Sequence, residues 1–86
     1  MNKLTRQQIE QIREDYPPGT RIELINMEDD YSVPPGTRGT VDLVDGLGQL
    51  QMTWDNGRAL AVVPELDSFR KLSQLEIQEE QQWQTM

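Results

Sequence analysis

The sequence holds no cysteine and no histidine in its 86 residues. Without cysteine a chain this short has no disulfide to staple it, and without either residue a Cys/His metal centre is excluded. General acid–base chemistry falls to carboxylates, and nucleophilic chemistry to Ser or Thr with Lys. Ser32, Ser68 and Ser73 stand in no Gly-x-Ser-x-Gly setting, and neither glycine cluster leads into the Gly-Lys-Ser/Thr of a phosphate-binding loop. Enzymatic activity and a bound cofactor are therefore not expected. Long apolar runs are also missing: nothing approaches the ~20 residues of a spanning helix, and the opening MNKLTRQQIEQIRED has no apolar stretch after its charges. The expectation is a cytoplasmic protein with no membrane partner. Positive charge is scarce, with eight Lys and Arg against fifteen Asp and Glu and a net charge of −7. Such a field repels phosphate backbones and disfavours nucleic acid.

What is present fits one domain, whose core is marginal because a chain of this length buries only ~60% of its unfolded surface. Residues 1–15 read as a helix. Thr5 and Gln8 make a capping box, Leu4 and Ile9 are placed for a hydrophobic staple, and Ile9 and Ile12 share a face that suits docking on the rest of the fold. Tyr16-Pro17-Pro18-Gly19 ends the helix, with Tyr16 placed to pack it down. Residues 73–86 repeat the logic, with a Ser73/Glu76 capping box, Leu72 and Ile77 as staple, and then an acidic helix or disordered tail.

Residues 16–72 alternate polar and apolar side chains in short runs. Strands are expected at Arg21–Leu24, Thr40–Leu43, Gln49–Trp54, about Arg58–Val63, and Phe69–Leu72. Asp55-Asn56-Gly57 reads as a tight hairpin turn with two residues tolerant of positive φ, and Asp45-Gly46-Leu47-Gly48 as a second turn. Five short strands in ~55 residues are best closed as a small SH3-like barrel, mainly β, with a short helix at each end. The expected core is Ile22, Leu24, Val41, Leu43, Leu50, Met52, Trp54, Leu60, Val62 and Phe69. Ile25, Val44 and Val63 fall on the other face and either cover the helices or mark bulges.

One echo interrupts this pattern. Pro17-Pro18-Gly19-Thr20-Arg21 recurs seventeen positions later as Pro34-Pro35-Gly36-Thr37-Arg38, and the identity stops there. Two stiff turns, each leading into a strand, account for it. A duplicated binding feature is the alternative.

The Pro35-Gly36-Thr37-Arg38-Gly39-Thr40-Val41 and Trp54-Asp55-Asn56-Gly57 pieces, with Asp15 to Leu24 ahead of them, resemble the bacterial domain-of-unknown-function family 4314 from about Tyr16 to Leu72. The resemblance implies small stand-alone chains, often of plasmids, phages or conjugative elements, with no catalytic residues to carry over. Gly36-Thr37-Arg38-Gly39-Thr40-Val41 is more distantly similar to the core of KOW modules. Those bring lysines and arginines to RNA, whereas residues 16–72 here carry five bases and nine acids.

Two sets of residues stand out as candidate contacts. Tyr31 with Glu28, Asp29 and Asp30 forms the one long loop and would meet a protein partner, the leading expectation. As calcium ligands the three adjacent carboxylates lack the spacing of a dedicated site. Arg21, Arg38, Arg58 and Arg70 would hold carboxylate or phosphate bidentately if they converge, which is the route to a nucleic-acid reading. Scattered arginines paired with the acids are the default.

Overall fold

A computed structural model describes residues 4–27 and 32–84. Strands β1 (Arg21–Asn26), β2 (Arg38–Val44), β3 (Leu50–Trp54) and β4 (Ser68–Lys71) form one antiparallel sheet in the order β3-β2-β1-β4. Helices α1 (Arg6–Asp15) and α2 (Gln74–Gln84) flank it in sequence. Ile22, Leu24, Val41, Val44, Leu50, Met52 and Trp54 line the inner face of the sheet. Met27, Val33 and Val62 from the connecting segments cover them to complete the core. Among the described residues no buried side-chain nitrogen or oxygen lacks a hydrogen bond.

The domain is mainly β, but the expected fifth strand over Arg58–Val63 does not form and the sheet is not closed. Those residues run along β3 and form one isolated bridge with it, Leu50·Val62, with reciprocal amide bonds of 2.9 Å. The Trp54 amide reaches the Arg58 carbonyl at 2.8 Å, so the register continues. Between those two contacts the Leu60 carbonyl, which an unbroken ladder would offer to Met52, accepts the Trp54 indole Nε1 at 2.8 Å. A buried indole needs a partner, and here it takes one from the ladder. The turn before this segment also differs from the expected one. Asp55–Gly57 is a three-residue connection closed by Gly57 N–H to Trp54 O, with positive φ at Gly57 alone, as in a G1-bulge hairpin. Asn56 is not left-handed; its side chain accepts from the Arg58 amide and donates to the Ser32 carbonyl.

Two further expectations change. Leu43, assigned to the core, is 48% exposed, and Val44 is buried in its place. The cause is a bulge in β2, where pairing passes from Val41·Met52 to Leu43·Gln51 and Asp42 is the extra residue. An extra residue turns every later side chain to the opposite face. Leu60 and Phe69 lie half-buried at the margin, and Met27, Val33 and Leu72 are buried without having been expected.

The seventeen-residue echo goes further in the backbone than in the sequence. Gly19 (φ +94°) and Gly36 (φ +91°) occupy the same corner of two equivalent turns, in which the Thr20 and Thr37 amides return to the Pro17 and Pro34 carbonyls. Gly19 N–H donates to Val41 O and Val41 N–H to Thr20 O. In the second copy Gly36 N–H donates to Leu24 O and Leu24 N–H to Thr37 O, all four at 2.8 Å. Leu24 and Val41 are themselves seventeen apart, as are the two bulge residues, Ile25 against β4 and Asp42 against β3. The Ile22·Gly39 pair lies on this local two-fold relation, with Arg21·Thr40 and Glu23·Arg38 on either side.

Helix α1 has the expected capping box: the Thr5 hydroxyl accepts from the Gln8 amide at 3.1 Å, and the Gln8 side chain from the Thr5 amide at 2.8 Å. The helix seats on the β2–β3 turn. Leu4, Ile9 and Ile12 converge on Gly48, and Arg13 donates to the Val44 and Asp45 carbonyls at 3.2 Å each. At its end Tyr16 stacks at a tilt on Phe69, with ring centroids 5.4 Å apart, and Lys71 Nζ lies 4.9 Å over its ring. Tyr16 thus pins the helix to the sheet as expected.

Candidate functional site

Strand alternation places Ile22 and Leu24 inward and sends Arg21 and Glu23 to the outer face of β1. On β2 the same alternation sends out Arg38 and Thr40, and Arg70 of β4 joins them. The repeated Thr-Arg step is what sets Arg21 and Arg38 diagonally across the β1–β2 pair, one from each copy of the turn. Helix α2 lies over this face. Its N-terminus is fixed by a second capping box, in which the Ser73 hydroxyl accepts from the Glu76 amide at 3.1 Å and Glu76 accepts from the Ser73 amide at 2.8 Å. Glu76 and Glu80, one turn apart, therefore share a side of the helix, and that side meets the arginines.

Arg21 is saturated. Its Nη1 and Nη2 hold both oxygens of Asp55 at 2.8 and 2.6 Å, its Nε and Nη2 hold both oxygens of Glu80 at 3.1 and 2.7 Å, and Nη1 also donates to Thr40 Oγ1 at 3.1 Å. These bonds use all five N–H donors of a guanidinium, on a side chain only 19% exposed. Arg70 grips both oxygens of Glu76 at 2.9 and 2.7 Å and reaches Glu23 at 3.1 Å. Arg38 sits between them and donates to Glu80 at 3.3 Å and Glu76 at 3.2 Å, with Glu23 3.6 Å from its Nε. Three guanidiniums thus face four carboxylates in one connected network, a geometry worth more than isolated surface pairs.

The electrostatics follow. The hydrogen bond from Arg70, with help from the Ser73 amide, holds the Glu76 carboxyl well below the ordinary carboxylate range. Bonds from Arg21 hold Glu80 down against its burial. The Asp55 and Glu80 carboxylates push the Arg21 guanidinium further up, and Glu76 does the same to Arg70. Arg21, Arg70, Glu76 and Glu80 are therefore ionised across the physiological range.

Of the four arginines singled out from sequence, three meet here. Arg58 shares none of these carboxylates and stands exposed at the end of the turn after β3. Tyr31, Glu28, Asp29 and Asp30 lie outside the described residues. Among the described residues no group of His, Cys, Asp and Glu is arranged to hold a metal ion, and no helix is long and apolar enough to cross a membrane. Glu23, Asp55, Glu76 and Glu80 were not expected at the site. The pairing of Glu76 and Glu80 at i,i+4 was readable, but the face it meets depends on how the chain returns from β4. Between helix and sheet lies an open pocket of about 380 Å³, lined by Arg21, Thr40 and Asp55 on one side and Ile77, Glu80 and Gln81 on the other.

The sequence profile of a domain of unknown function, DUF4314, matches residues 5–72, which includes α1, the whole sheet and all three arginines but not α2. No curated protein and no solved structure matches the chain. The match spans most of the chain, and the chain belongs to the DUF4314 family.

Proposed function

We propose that this member of the DUF4314 family is a non-enzymatic protein-binding module whose working surface is the outer face of the sheet, around Arg21, Arg38 and Arg70. The observation that carries this reading is the convergence of the three guanidiniums on one face, with Arg21 and Arg70 gripping carboxylates bidentately and Arg38 shared between them. Planar forks of this kind recognise carboxylates bidentately. Two fixed acids, Glu23 and Asp55, are interleaved with the arginines. That mixture suits a peptide with a few spaced carboxylates better than a continuous phosphate backbone, which would also meet the net charge of −7. The path of residues 58–63 along β3 supports an SH3-like barrel in which one strand is reduced to the Leu50·Val62 bridge.

Nucleic-acid binding through the same arginines is the second reading, supported by their convergence and opposed by their neutralisation. The two are separated by titrating the full-length Glu76→Gln/Glu80→Gln variant with a labelled oligo-glutamate peptide and with labelled single- and double-stranded oligonucleotides, at low and physiological salt. The protein-binding reading expects the peptide to bind, Arg21→Ala/Arg38→Ala added to that variant to abolish the binding, and the oligonucleotides to stay free even at low salt. Oligonucleotide binding that falls steeply with salt would replace it with the second reading.

A further inference from the structure

Helix α2 is attached to the sheet unlike any other element of this molecule. No described side chain of α2 belongs to the core or packs against it, whereas Ile12 of α1 packs against it. Leu75 of α2 is 66% exposed, Ile77 is half-buried, and Ile77 shares the lining of the open pocket with Thr40 of the sheet. Charge ties the helix to the sheet. Glu76 and Glu80 supply four of the ion pairs on the arginine face, reaching Arg21, Arg38 and Arg70. The match to the family profile covers residues 5–72, which takes in the three arginines and stops short of the helix over them.

We infer that α2 is a resident, displaceable occupant of the arginine face, and that the partner it yields to is a helix carrying two carboxylates one turn apart. The inference rests on the protein-binding reading above and adds the ligand's shape and its control. Arg21 and Arg38 are fixed diagonally by the β1–β2 register, and Arg70 extends the row onto β4. Glu76 answers Arg38 and Arg70 while Glu80 answers Arg21 and Arg38, so the row spans one helical turn of carboxylates. Between those glutamates Ile77 faces the pocket, and an incoming helix with a larger apolar residue at that position would fill space that α2 leaves open. Only Leu72 and Ser73 connect β4 to α2, and Leu72 is buried. A tether that short gives the helix a high effective concentration over its site, of order millimolar or more. The face is therefore shut to weak acidic ligands and open to a partner that competes with that concentration.

Hydrogen exchange read by mass spectrometry tests this on the full chain. The probes are a free peptide of residues 73–84 and its Glu76→Gln/Glu80→Gln counterpart. In the unliganded wild-type chain, α2 amides should exchange faster than those of β1 and β2, by a sub-global opening. In the Glu76→Gln/Glu80→Gln chain the α2 amides should lose at least about tenfold further protection while β1 and β2 are unchanged. The free peptide should bind that variant at a concentration at least about tenfold lower than it binds wild type, and its Gln counterpart should bind neither. Protection of α2 that is lost only with β1 and β2 would make the helix an integral part of the fold and overturn the inference. Equal binding to wild type and variant would also overturn it, while leaving a protein-binding surface in place. A freely opening α2 with no binding of the peptide to either chain would end both readings.

Discussion

At Gly48 the backbone runs at φ +82°, and a Cβ built there would lie 2.5 Å from Leu4 Cδ1 and 3.4 Å from Ile9 Cγ1. Gly39 has ordinary φ but is as crowded, with a Cβ placed 2.6 Å from Trp54 Cε3 and 3.1 Å from the Thr53 carbonyl oxygen. Gly46, two residues before Gly48, has neither constraint. Alanine at Gly48 or Gly39 should therefore cost about 1–3 kcal/mol, and at Gly46 no more than about 0.5 kcal/mol. Urea midpoints of the three variants measure this. A Gly48→Ala chain as stable as Gly46→Ala would mean that α1 does not seat on this turn. The turn has its own brace in Asp45, whose carboxylate accepts from the Leu47 and Gln49 amides and the Gln51 side chain. Burial raises its affinity for a proton, and those bonds outweigh it, so the group stays ionised below the usual carboxylate range.

Among the elements, α2 is the one whose attachment depends on ionised carboxylates, and that gives it a pH dependence of known sign. Glu76 and Glu80 titrate lower in the folded chain than their ordinary value of 4.5. Near that value the released helix binds more protons than the docked one, so docking strengthens as pH rises there. The clasp is complete above about pH 5 and is lost as acid protonates the two groups below their ordinary range. Amide NMR shifts of α2 should move toward released values on acidification before those of β1 and β2 change. Simultaneous movement would contradict this. The helices themselves were legible in the sequence, because capping boxes are local chemistry: Thr5 with Gln8 and Ser73 with Glu76 form as read. Strands β1 to β3 were legible by alternation as far as their first irregularity. Beyond it Leu43 and Val44 exchange faces, because the bulge at Asp42 is set by the partner strand. The lost strand at 58–63 was not legible either, since alternation cannot say that the Trp54 indole takes the Leu60 carbonyl. The convergence of Arg21 with Arg38 was half-visible as a repeated pentapeptide. Its meaning depended on the antiparallel pairing of the two copies.

For the molecule as a whole, the two ends of the chain are unequal, and truncation should show it. The core and the side chains packed against it run from Ile12 to Phe69, with Leu72 buried at the end of the sheet, and no described residue after Leu72 adds to it. A domain of this length is stable by only ~4–13 kcal/mol at typical per-residue values. Removing residues 1–15 strips Leu4, Ile9 and Ile12 from Gly48 and takes away the two Arg13 bonds to β2 and its turn. Partial burial of three aliphatic side chains and two charge-assisted bonds amounts to about 2–4 kcal/mol, a large share of that margin. Stopping the chain after Ser73 removes Glu76 and Glu80 and the half-buried Ile77 but, among the described residues, nothing of the core, and it lowers the negative charge that opposes compactness. Among the described residues it also leaves Arg21, Arg38 and Arg70 with Glu23 and Asp55 alone to answer them. The C-terminal truncation should therefore unfold cooperatively, within about 1 kcal/mol of the full chain, and gain affinity for acidic peptides. The N-terminal truncation should be markedly less stable with that affinity unchanged. Urea titrations of both, followed by the buried Trp54, measure the difference. If stopping at Ser73 proves the more damaging cut, α2 is a structural wall of the domain, and its glutamates are there to hold the sheet together.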